Sequence, residues 1–525
     1  MKNRSILVAA VLSTALVSGG WLMERGSRNP GRDLASRAHL FDEVLQHVKR
    51  DYVDTLPDST LYQRAIDGAL RELRDPHTVF LSPRRLTRLE ESTSGQYAGV
   101  GIQMDVGDSG ITVIGTLPAA PAEQAGIVTG DRIVSIEGKT TQGVTSEEAL
   151  KSLRGPAGTT VHMAIERASV AERLTFTLVR RVIDVNPVRA ALLIRDGVGY
   201  VHLSVFSAAA TADLVKSIDS LRNAGARALV FDLRGDPGGL LAQGVEVADL
   251  FLDAGQSIVS TRGRSAEETR GFDDHAAQRW SDMPLVVLTD SSSASASEIV
   301  AGALQDHDRA VIIGTATYGK GSAQRVYKLE HGAVKVTTAL WYTPSGRSIN
   351  RARKPVSDDD DEVPPRTDTL TPRPKFKTDA GRTVVGGGGI VPDIEVARRP
   401  ITTADKALQT TLGASVPQFR NAIVEYALSL KSSRAVADTN FAVTPAMRDD
   451  LYRRLQARGV KLSRTVYDSA APLVNRALGG QVARYVFGQR VEFSRGLRED
   501  PAILRALDLL QGVKSQKELF ERLRR

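Results

Sequence analysis

One serine in a run of small residues is placed where a nucleophile could act. The apolar residues 285–289 predict a buried strand, and residues 291–298 read Ser-Ser-Ser-Ala-Ser-Ala-Ser-Glu before an amphipathic helical pattern begins. A serine at a strand-to-helix turn exposes its hydroxyl beside the free N–H groups and the positive dipole end of the helix. Serines also cap helices, and for this segment taken alone capping is the better interpretation.

A lysine with unusual neighbours could take the proton of such a serine. Lys320 follows the apolar residues 310–313 and lies between Gly319 and Gly321. Burial at a strand end would disfavour the charged form of its amine, and a neutral lysine can act as general base towards a serine hydroxyl. The alternatives are a surface lysine or a phosphate-binding loop. The glycine spacing of a P-loop is absent, which argues against phosphate.

A glycine-rich turn is the third candidate element. Residues 232–240 read Asp-Leu-Arg-Gly-Asp-Pro-Gly-Gly-Leu after another apolar run. Glycines let backbone N–H groups approach a ligand, so this turn is a candidate oxyanion hole together with the N–H of Ala296. The alternative is a plain strand-to-helix connection. The eight histidines lie in no stretch typical of a catalytic loop and have no metal-ligand spacing, so we expect neither a histidine base nor a metal.

The elements that must position these residues differ along the chain. Residues 38–53 and 61–73 show helical periodicity, and residues 95–180 are short β-rich runs separated by Gly and Asp turns. From 181 to 349 apolar strands alternate with helices, which is typical of an α/β layer. Residues 351–389 predict a loop, and 404–525 predict charged, packed helices, for which we hypothesise a homo-oligomer contact.

Composition and the N-terminus limit the class of protein. The 525 residues are 42% hydrophobic and 25% charged, with a formal net charge of +8 and no cysteine, which excludes disulfides and thiolate catalysis. The sequence has no dense basic stripe of the kind that predicts nucleic-acid binding. Lys2 and Arg4 precede an apolar run over residues 6–23, which predicts either a cleaved export signal or an uncleaved membrane anchor.

Taken together in their order and spacing, the three segments resemble the carboxyl-terminal processing proteases, which are tail-specific Ser-Lys proteases of peptidase family S41. The resemblance extends from about residue 40 to 394 and includes residues 73–78, 342–349 and 388–393. It implies Ser295 as nucleophile, Lys320 as base and Gln324 as the residue that orients the lysine. It also implies that the N–H groups of Gly239 and Ala296 form the oxyanion hole. Asp236 departs from the family pattern, where a neutral Asn is expected, and we expect its side chain to point away from the site.

The β-rich module resembles a PDZ domain. Residues Gly99, Val100, Gly101 and Ile102 resemble its carboxylate-binding loop, in which backbone N–H groups hold the C-terminal carboxylate of a peptide that adds as a strand to the sheet edge. The alternative is a small β-barrel without a peptide-binding role.

The resemblance implies an α/β (α+β multidomain) fold with a ClpP/crotonase-like protease core, an inserted PDZ domain and helical N- and C-terminal regions. The expected boundaries are 1–27 for the signal peptide or anchor, 28–94 for the helical N-terminal region, 95–180 for the PDZ domain, 181–400 for the core and 401–525 for the C-terminal helices.

The expected function is a serine endopeptidase without a cofactor. It would bind polypeptides by their C-terminal tails and cleave exported proteins on the extracytoplasmic, periplasmic side of a bacterial envelope, with the N-terminal segment in contact with the inner membrane. The alternative is a PDZ-type adaptor that binds tails without cutting them.

Overall fold

The computed structural model describes residues 30–107, 110–167, 170–351, 373–397 and 399–524. The predicted signal or anchor at 6–23 and residues 352–372 of the predicted loop lie outside these ranges. Among the residues described, no helix combines the length and the apolarity that crossing a bilayer requires. The chain forms two compact units, of which the first holds the described residues up to Ser82 together with Val326–Val336, and the second holds Pro83–Arg325 and Thr337 onwards.

The regular elements are numbered in chain order. The helices are α1 (Pro30–Asp51), α2 (Asp58–Arg71), α3 (Pro83–Ser94), α4 (Pro121–Gln124), α5 (Ser146–Leu153), α6 (Ala210–Asn223), α7 (Leu241–Asp249), α8 (Ala296–Asp306), α9 (Thr403–Leu412), α10 (Val416–Ser432), α11 (Pro445–Ala457), α12 (Arg464–Ser469), α13 (Ala471–Val482), α14 (Gln489–Leu497), α15 (Pro501–Leu510) and α16 (Gln516–Leu523). The strands are β1 (Val79–Leu81), β2 (Gln96–Gly99), β3 (Ile102–Gly107), β4 (Gly110–Thr116), β5 (Arg132–Ile136), β6 (Lys139–Thr140), β7 (Thr160–Glu166), β8 (Leu174–Val179), β9 (Arg181–Asp184), β10 (Val188–Leu193), β11 (Val198–Leu203), β12 (Ala228–Asp232), β13 (Ser257–Gly263), β14 (Arg270–Asp273), β15 (Leu285–Thr289), β16 (Val311–Gly314), β17 (Ser322–Leu329), β18 (Gly332–Tyr342), β19 (Lys375–Lys377), β20 (Thr383–Val385) and β21 (Ile394–Glu395).

The first unit contains α1, α2 and β1, and β1 pairs antiparallel with residues 333–335 of β18. The two predicted N-terminal helices are present. Their apolar side chains are only partly covered, because Leu40, Phe41 and Val44 are exposed while Leu45 is buried. The helical periodicity therefore predicted α1 correctly, and most of the apolar residues on that side of the helix are exposed.

In the second unit, the β-rich module is a sheet in the order β3-β4-β5-β7-β8, with β6 on β5. Its core is formed by inward-facing aliphatic residues such as Ile111, Ile133 and Ile165. Helix α5 begins as the sequence predicts, and Thr145 and Glu148 form a reciprocal capping box at its N-terminus. Strands β2 and β9 pair with each other where the chain enters and leaves the module.

The central sheet has the order β10-β11-β12-β15-β16-β21, with all neighbours parallel except β10 and β11. Both faces of this sheet are covered. In β15, Leu285 and Val287 pack in one core cluster with α6, α7 and α8, whereas Val286 and Leu288 pack in a second cluster with α15 and α16. Burial on both faces explains why the strands are continuous apolar runs.

The remaining C-terminal helices, from α9 to α13, enclose a separate core. Of the predicted packing positions, Phe419, Ile423, Tyr426 and Ala427 are buried in it, and Leu430 is partly buried against it. Helices α15 and α16 differ from the others, because they belong to the second layer of the central sheet.

Candidate active site

Ser295 lies at the turn where the chain leaves β15 and enters α8. Its φ of 55° and ψ of −113° fall in a region that residues with a side chain rarely adopt. Such strain costs about 1–3 kcal/mol and is concentrated at functional sites. The side chain of Ser295 is partly exposed, whereas Ser293 and Ser297 are buried. Among these three serines, only Ser295 is accessible to a substrate.

Ser293 and Ser297 hold the serine loop against the glycine-rich turn that follows β12. The hydroxyl of Ser293 donates to the carbonyl of Leu233 at 2.8 Å, and the hydroxyl of Ser297 donates to the carbonyl of Asp236 at 3.0 Å. The N–H of Ala294 donates to the same Asp236 carbonyl at 3.0 Å. These contacts bring the predicted nucleophile and the predicted oxyanion turn together.

A buried carboxylate joins the loop of Ser295 to the loop of Lys320. Glu298 is fully buried on the first turn of α8. Its Oε2 accepts the N–H groups of Ser295 at 2.8 Å and Lys320 at 2.9 Å. Its Oε1 accepts the Thr317 hydroxyl at 2.5 Å and the Gly319 N–H at 2.7 Å. Burial raises the pKa of Glu298, and these donors act in the opposite direction by favouring the anion.

The Lys320 loop follows β16 and is fixed along its length. The N–H of Tyr318 donates to the carbonyl of Ser293 at 3.0 Å. The N–H of Thr317 donates to the carbonyl of Ile390 at 3.0 Å, and the Ile390 N–H donates to the Thr317 hydroxyl at 2.7 Å. Lys320 itself is partly buried. The strand order therefore places the predicted base on the loop adjacent to the loop of the predicted nucleophile.

The two glycines beside Lys320 allow the loop to lie directly on residues 349–351. Gly319 has a φ of +87°, and a Cβ there would lie 2.9 Å from the Cβ of Arg351. A Cβ on Gly321 would lie 2.8 Å from the backbone nitrogen of Asn350. Contacts under 3.0 Å with backbone cannot be relieved by a side-chain rotation. Glycine is therefore required at 321 by space, and at 319 by both space and conformation.

The predicted oxyanion donors lie where the glycine-rich turn approaches Ser295. A Cβ on Gly238 would lie 2.8 Å from both the Ser295 Cβ and the Ala296 nitrogen, so the turn packs directly on the predicted nucleophile. Within the described ranges, the N–H groups of Gly239 and Ala296 have no intramolecular acceptor. Free N–H groups beside a serine at a helix N-terminus could stabilise a developing oxyanion.

Asp236 does not point away from this turn, contrary to expectation. Its side chain is fully buried, and its Oδ1 accepts the Gly238 N–H at 2.7 Å. Burial raises the pKa of Asp236 well above its usual range. The short Asp-Pro-Gly turn folds the carboxyl group back onto its own backbone, which a sequence pattern does not reveal.

Gln324 lies at the start of β17, four residues after Lys320. Its amide nitrogen donates to the carbonyl of Ser322 at 3.1 Å, to the Ser322 hydroxyl at 2.9 Å and to the Thr337 hydroxyl at 3.4 Å. These contacts fix the Gln324 side chain near the lysine loop. Its orientation of Lys320 stays a prediction.

The predicted carboxylate-binding loop connects β2 to β3. Val100 is buried, and its carbonyl accepts the Ala122 N–H at 3.0 Å. Gly101 has a φ of +75°, and a Cβ there would overlap the side chain of Ala120. The loop is therefore held tightly between the sheet and α4, with Ile102 beginning the strand that follows.

Two histidines, His307 and His202, make polar contacts within the fold. His307 lies between Asp379 and the carbonyl of Ser257, and His202 has its Nε2 3.2 Å from the carbonyl of Arg234. Burial lowers the pKa of His202. In the parts of the chain that the structure describes, no cluster of His, Asp and Glu is arranged to hold a metal ion.

The sequence assigned no role to Glu298 or Thr317. The signal for Glu298 was a glutamate on the first turn of a helix that begins with serine. That pattern predicts a capping box, but it does not identify the second loop that the same carboxylate binds.

Comparison with known proteins identifies the families to which two parts of the chain are similar. Residues 197–359 match peptidase family S41, and residues 87–166 match the PDZ domain family. The carboxy-terminal-processing protease of Bartonella bacilliformis is 40% identical over 314 residues, which are 59% of this chain and 71% of that protein. The carboxyl-terminal-processing protease of a Picosynechococcus species is 41% identical over 294 residues, or 55% of this chain and 70% of that protein.

A solved structure titled photosystem II D1 C-terminal processing protease is 28% identical, covers 68% of this chain and 92% of its own, and has a TM-score of 0.36. The identity to the two bacterial relatives and the share of their length that is covered, together with both family matches, identify the enzyme class. The chain belongs to the carboxy-terminal processing proteases of peptidase family S41, which are serine-type peptidases, and it carries a PDZ domain.

Proposed function

We propose that this chain cleaves polypeptides with a Ser295–Lys320 dyad after its PDZ domain has bound their C-terminal tails. The observation that carries the proposal is the Glu298 carboxylate, which binds the backbone of both Ser295 and Lys320. A shared buried anchor holds two loops at a constant separation, which a nucleophile and its base require.

In the first step, the neutral amine of Lys320 takes the hydroxyl proton of Ser295 while Oγ attacks the carbonyl carbon of the scissile peptide. The N–H groups of Gly239 and Ala296 stabilise the oxyanion. Lys320 then gives its proton to the leaving amine, the C–N bond breaks, and an acyl-enzyme ester remains. Water attacks this ester with Lys320 again as base, which releases the new carboxyl terminus and restores Ser295.

The PDZ domain offers an edge for the substrate tail. Strand β3 is at the end of its sheet, with β4 as its neighbour among the described strands, and α5 packs beside it. An added peptide strand would place its terminal carboxylate at residues 99–102. If residues 6–23 direct export, the substrates are proteins of the bacterial envelope on the extracytoplasmic side, and an uncleaved segment would keep the enzyme at the inner membrane.

A cleavage assay with an unfolded, tail-bearing reporter protein tests this function. The Ser295→Ala and Lys320→Ala variants are expected to lose at least about 1,000-fold in kcat. Matched controls are Ser292→Ala, in the same loop but exposed, and Lys517→Ala, exposed on α16, both of which should cut normally. Tail binding by the wild-type protein without fragments would favour the adaptor instead. Full activity of either dyad variant would refute the dyad.

A further inference from the structure

We propose that Asp236 is a positioning residue that holds the oxyanion turn as a neutral carboxylic acid, and that its ionisation switches cleavage off. The inference rests on the proposed function, because it takes Ser295 as the nucleophile and Gly239 and Ala296 as the oxyanion donors. Beyond that function, the inference assigns a pH-sensitive role to the Asp236 carboxyl group, which contacts the turn and not the substrate.

The first support is the place of the side chain. Asp236 is fully buried between β12 and α7, and its Oδ1 accepts the Gly238 N–H at 2.7 Å. Its backbone carbonyl accepts the N–H of Ala294 and the hydroxyl of Ser297, both at 3.0 Å. The same residue therefore binds its own turn through the side chain and the serine loop through the main chain.

The second support is the effect of these contacts on the neighbouring donors. The Gly238 N–H is occupied by Asp236, whereas the Gly239 N–H has no acceptor among the described residues. The Gly238 carbonyl accepts the Phe206 N–H at 3.0 Å, which fixes the following peptide plane. Asp236 thus helps to hold the turn in the form that leaves the Gly239 N–H available.

The third support is the absence of compensation for a negative charge. The Oδ2 of Asp236 is buried and has no hydrogen-bond partner in the described structure. A buried carboxylate oxygen without a donor costs more free energy than an unpaired hydroxyl. The Gly238 N–H and the Ser297 hydroxyl favour the charged form of Asp236, but desolvation by burial outweighs them and raises the pKa of the carboxyl group.

The charged groups near the turn do not supply that compensation. On the same loop, the Arg234 guanidinium is engaged by Asp232 at 2.6 Å and by Asp500 at 2.8 Å. On β11, His202 faces the Arg234 carbonyl, and its lowered pKa keeps it uncharged at neutral pH.

The elements that carry the proposed nucleophile and base contribute two carboxyl groups and one amine to the surroundings of Asp236. Asp290, on the loop after β15, accepts the Gly235 N–H at 3.1 Å, and Glu298 lies buried on α8. Both are carboxyl groups and oppose a further negative charge. Lys320, on the loop after β16, is neutral in the reactive state that the proposed function requires. The two neighbouring carboxyl groups therefore favour the protonated form of Asp236, and the positive dipole end of α8 acts in the opposite direction.

Ionisation would act on catalysis directly. A negative charge in the turn would repel the oxyanion that forms beside Gly239, and this repulsion is weakly screened because the turn is buried. It would raise the barrier to attack without changing how the substrate tail binds at the PDZ domain. We therefore expect kcat to fall with rising pH and KM to change little.

The pH profile of kcat for Asp236→Asn, compared with the wild type between about pH 5 and pH 10, tests the proposal. Asn keeps the Gly238 contact and cannot ionise. The wild type should lose about tenfold or more at the alkaline end, while Asp236→Asn should stay within about twofold of its maximum. The loss cannot come from Lys320, since a base becomes more competent as pH rises. Asp282→Asn, which removes the carboxylate of an exposed ion pair with Arg222, is the charge-matched control. It should lose kcat at alkaline pH as the wild type does.

The outcomes separate this inference from the proposed function. Equal alkaline profiles for the wild type and Asp236→Asn, with Ser295→Ala inactive, would overturn the role of Asp236 and leave the dyad intact. An active Ser295→Ala would instead overturn the dyad. Infrared difference spectra of Ser295→Ala against Ser295→Ala/Asp236→Asn provide a readout that needs no activity. A protonated-carboxyl band at neutral pH that is missing from the double variant supports the proposal, and equal spectra refute it.

Discussion

Ser295 and Lys320 donate their backbone N–H groups to the same oxygen atom, Oε2 of Glu298, at 2.8 and 2.9 Å. The loops that carry them follow adjacent parallel strands, β15 and β16. The carboxyl ends of neighbouring parallel strands lie at one edge of a sheet, and this is where open α/β sheets place their sites. Glu298 adds a direct link between the two loops at that edge.

Replacing Glu298 by Gln should reduce catalysis more than stability. A carboxamide nitrogen cannot accept the N–H groups that one carboxylate oxygen now binds. Each buried donor left without an acceptor costs about 1–3 kcal/mol, and the loops would separate to relieve it. We expect kcat to fall about 100-fold with a modest loss of unfolding free energy. Steady-state kinetics and urea unfolding measure the two effects.

The control for Glu298 is Glu246→Gln on the neighbouring helix α7, where the glutamate is exposed. This variant should keep wild-type kcat within about twofold. A Glu298→Gln protein with lowered unfolding free energy but unchanged kcat would show that the link serves folding alone.

Gly321→Ala should displace the lysine loop. The added Cβ would lie 2.8 Å from the Asn350 nitrogen, which belongs to the backbone and must move with its whole segment. We expect kcat to fall about tenfold to 100-fold, because displacements of about 1 Å have effects of this size. Gly271→Ala is the matched control, since Gly271 has no atom within 4 Å of an added Cβ. Similar kinetics for both variants would contradict the requirement for glycine at 321.

Gly101→Ala should weaken tail binding. A methyl group at this position would overlap Ala120 and would also force alanine into a φ of +75°. Binding of a fluorescent C-terminal peptide to the Ser295→Ala protein should weaken about tenfold or more. Gly143→Ala is the control, because Gly143 also has a positive φ, of +73°, but has open space around it. This variant tests the effect of backbone strain alone, without displacement of the loop. Equal affinity in the two variants would exclude residues 99–102 as the carboxylate site.

Asp236 should also make stability depend on pH. Its pKa is raised in the folded protein above the unfolded value of 3.8, so unfolding releases a proton as pH rises through this window. The free energy of unfolding therefore falls by about 1.4 kcal/mol per pH unit because of this group. The fall begins above the unfolded pKa and ends at the folded pKa. Asp236→Asn should be more stable than wild type by a margin that grows from acid to neutral pH. Urea unfolding at several pH values measures it, and a constant margin would contradict the raised pKa.

The local form of the candidate catalytic segments could be predicted from residue order alone. Apolar runs at 228–232 and 285–289 predicted strands buried on both faces, and every residue of both is buried. Small residues around Ser295 and Lys320 predicted turns at strand ends. These features depend on neighbours in the chain, so local patterns report them.

Other features could not be predicted in this way. The exposure of Leu40, Phe41 and Val44 on α1 could not be read from the spacing of apolar residues, because burial depends on what packs opposite. The helical pattern of residues 404–525 also does not indicate that α15 and α16 cover the second face of the central sheet.

The sequence by itself determined the candidates for chemistry: Ser295 at a helix start, Lys320 between glycines, and a glycine-rich turn. Only the tertiary structure decided that β15 and β16 are neighbours, that Glu298 binds both of their loops, and that Asp236 is buried with its Oδ2 unpaired in the described structure. Strand order and burial are set by contacts between residues far apart in the chain. The same contacts change the charge that a buried carboxyl group can carry.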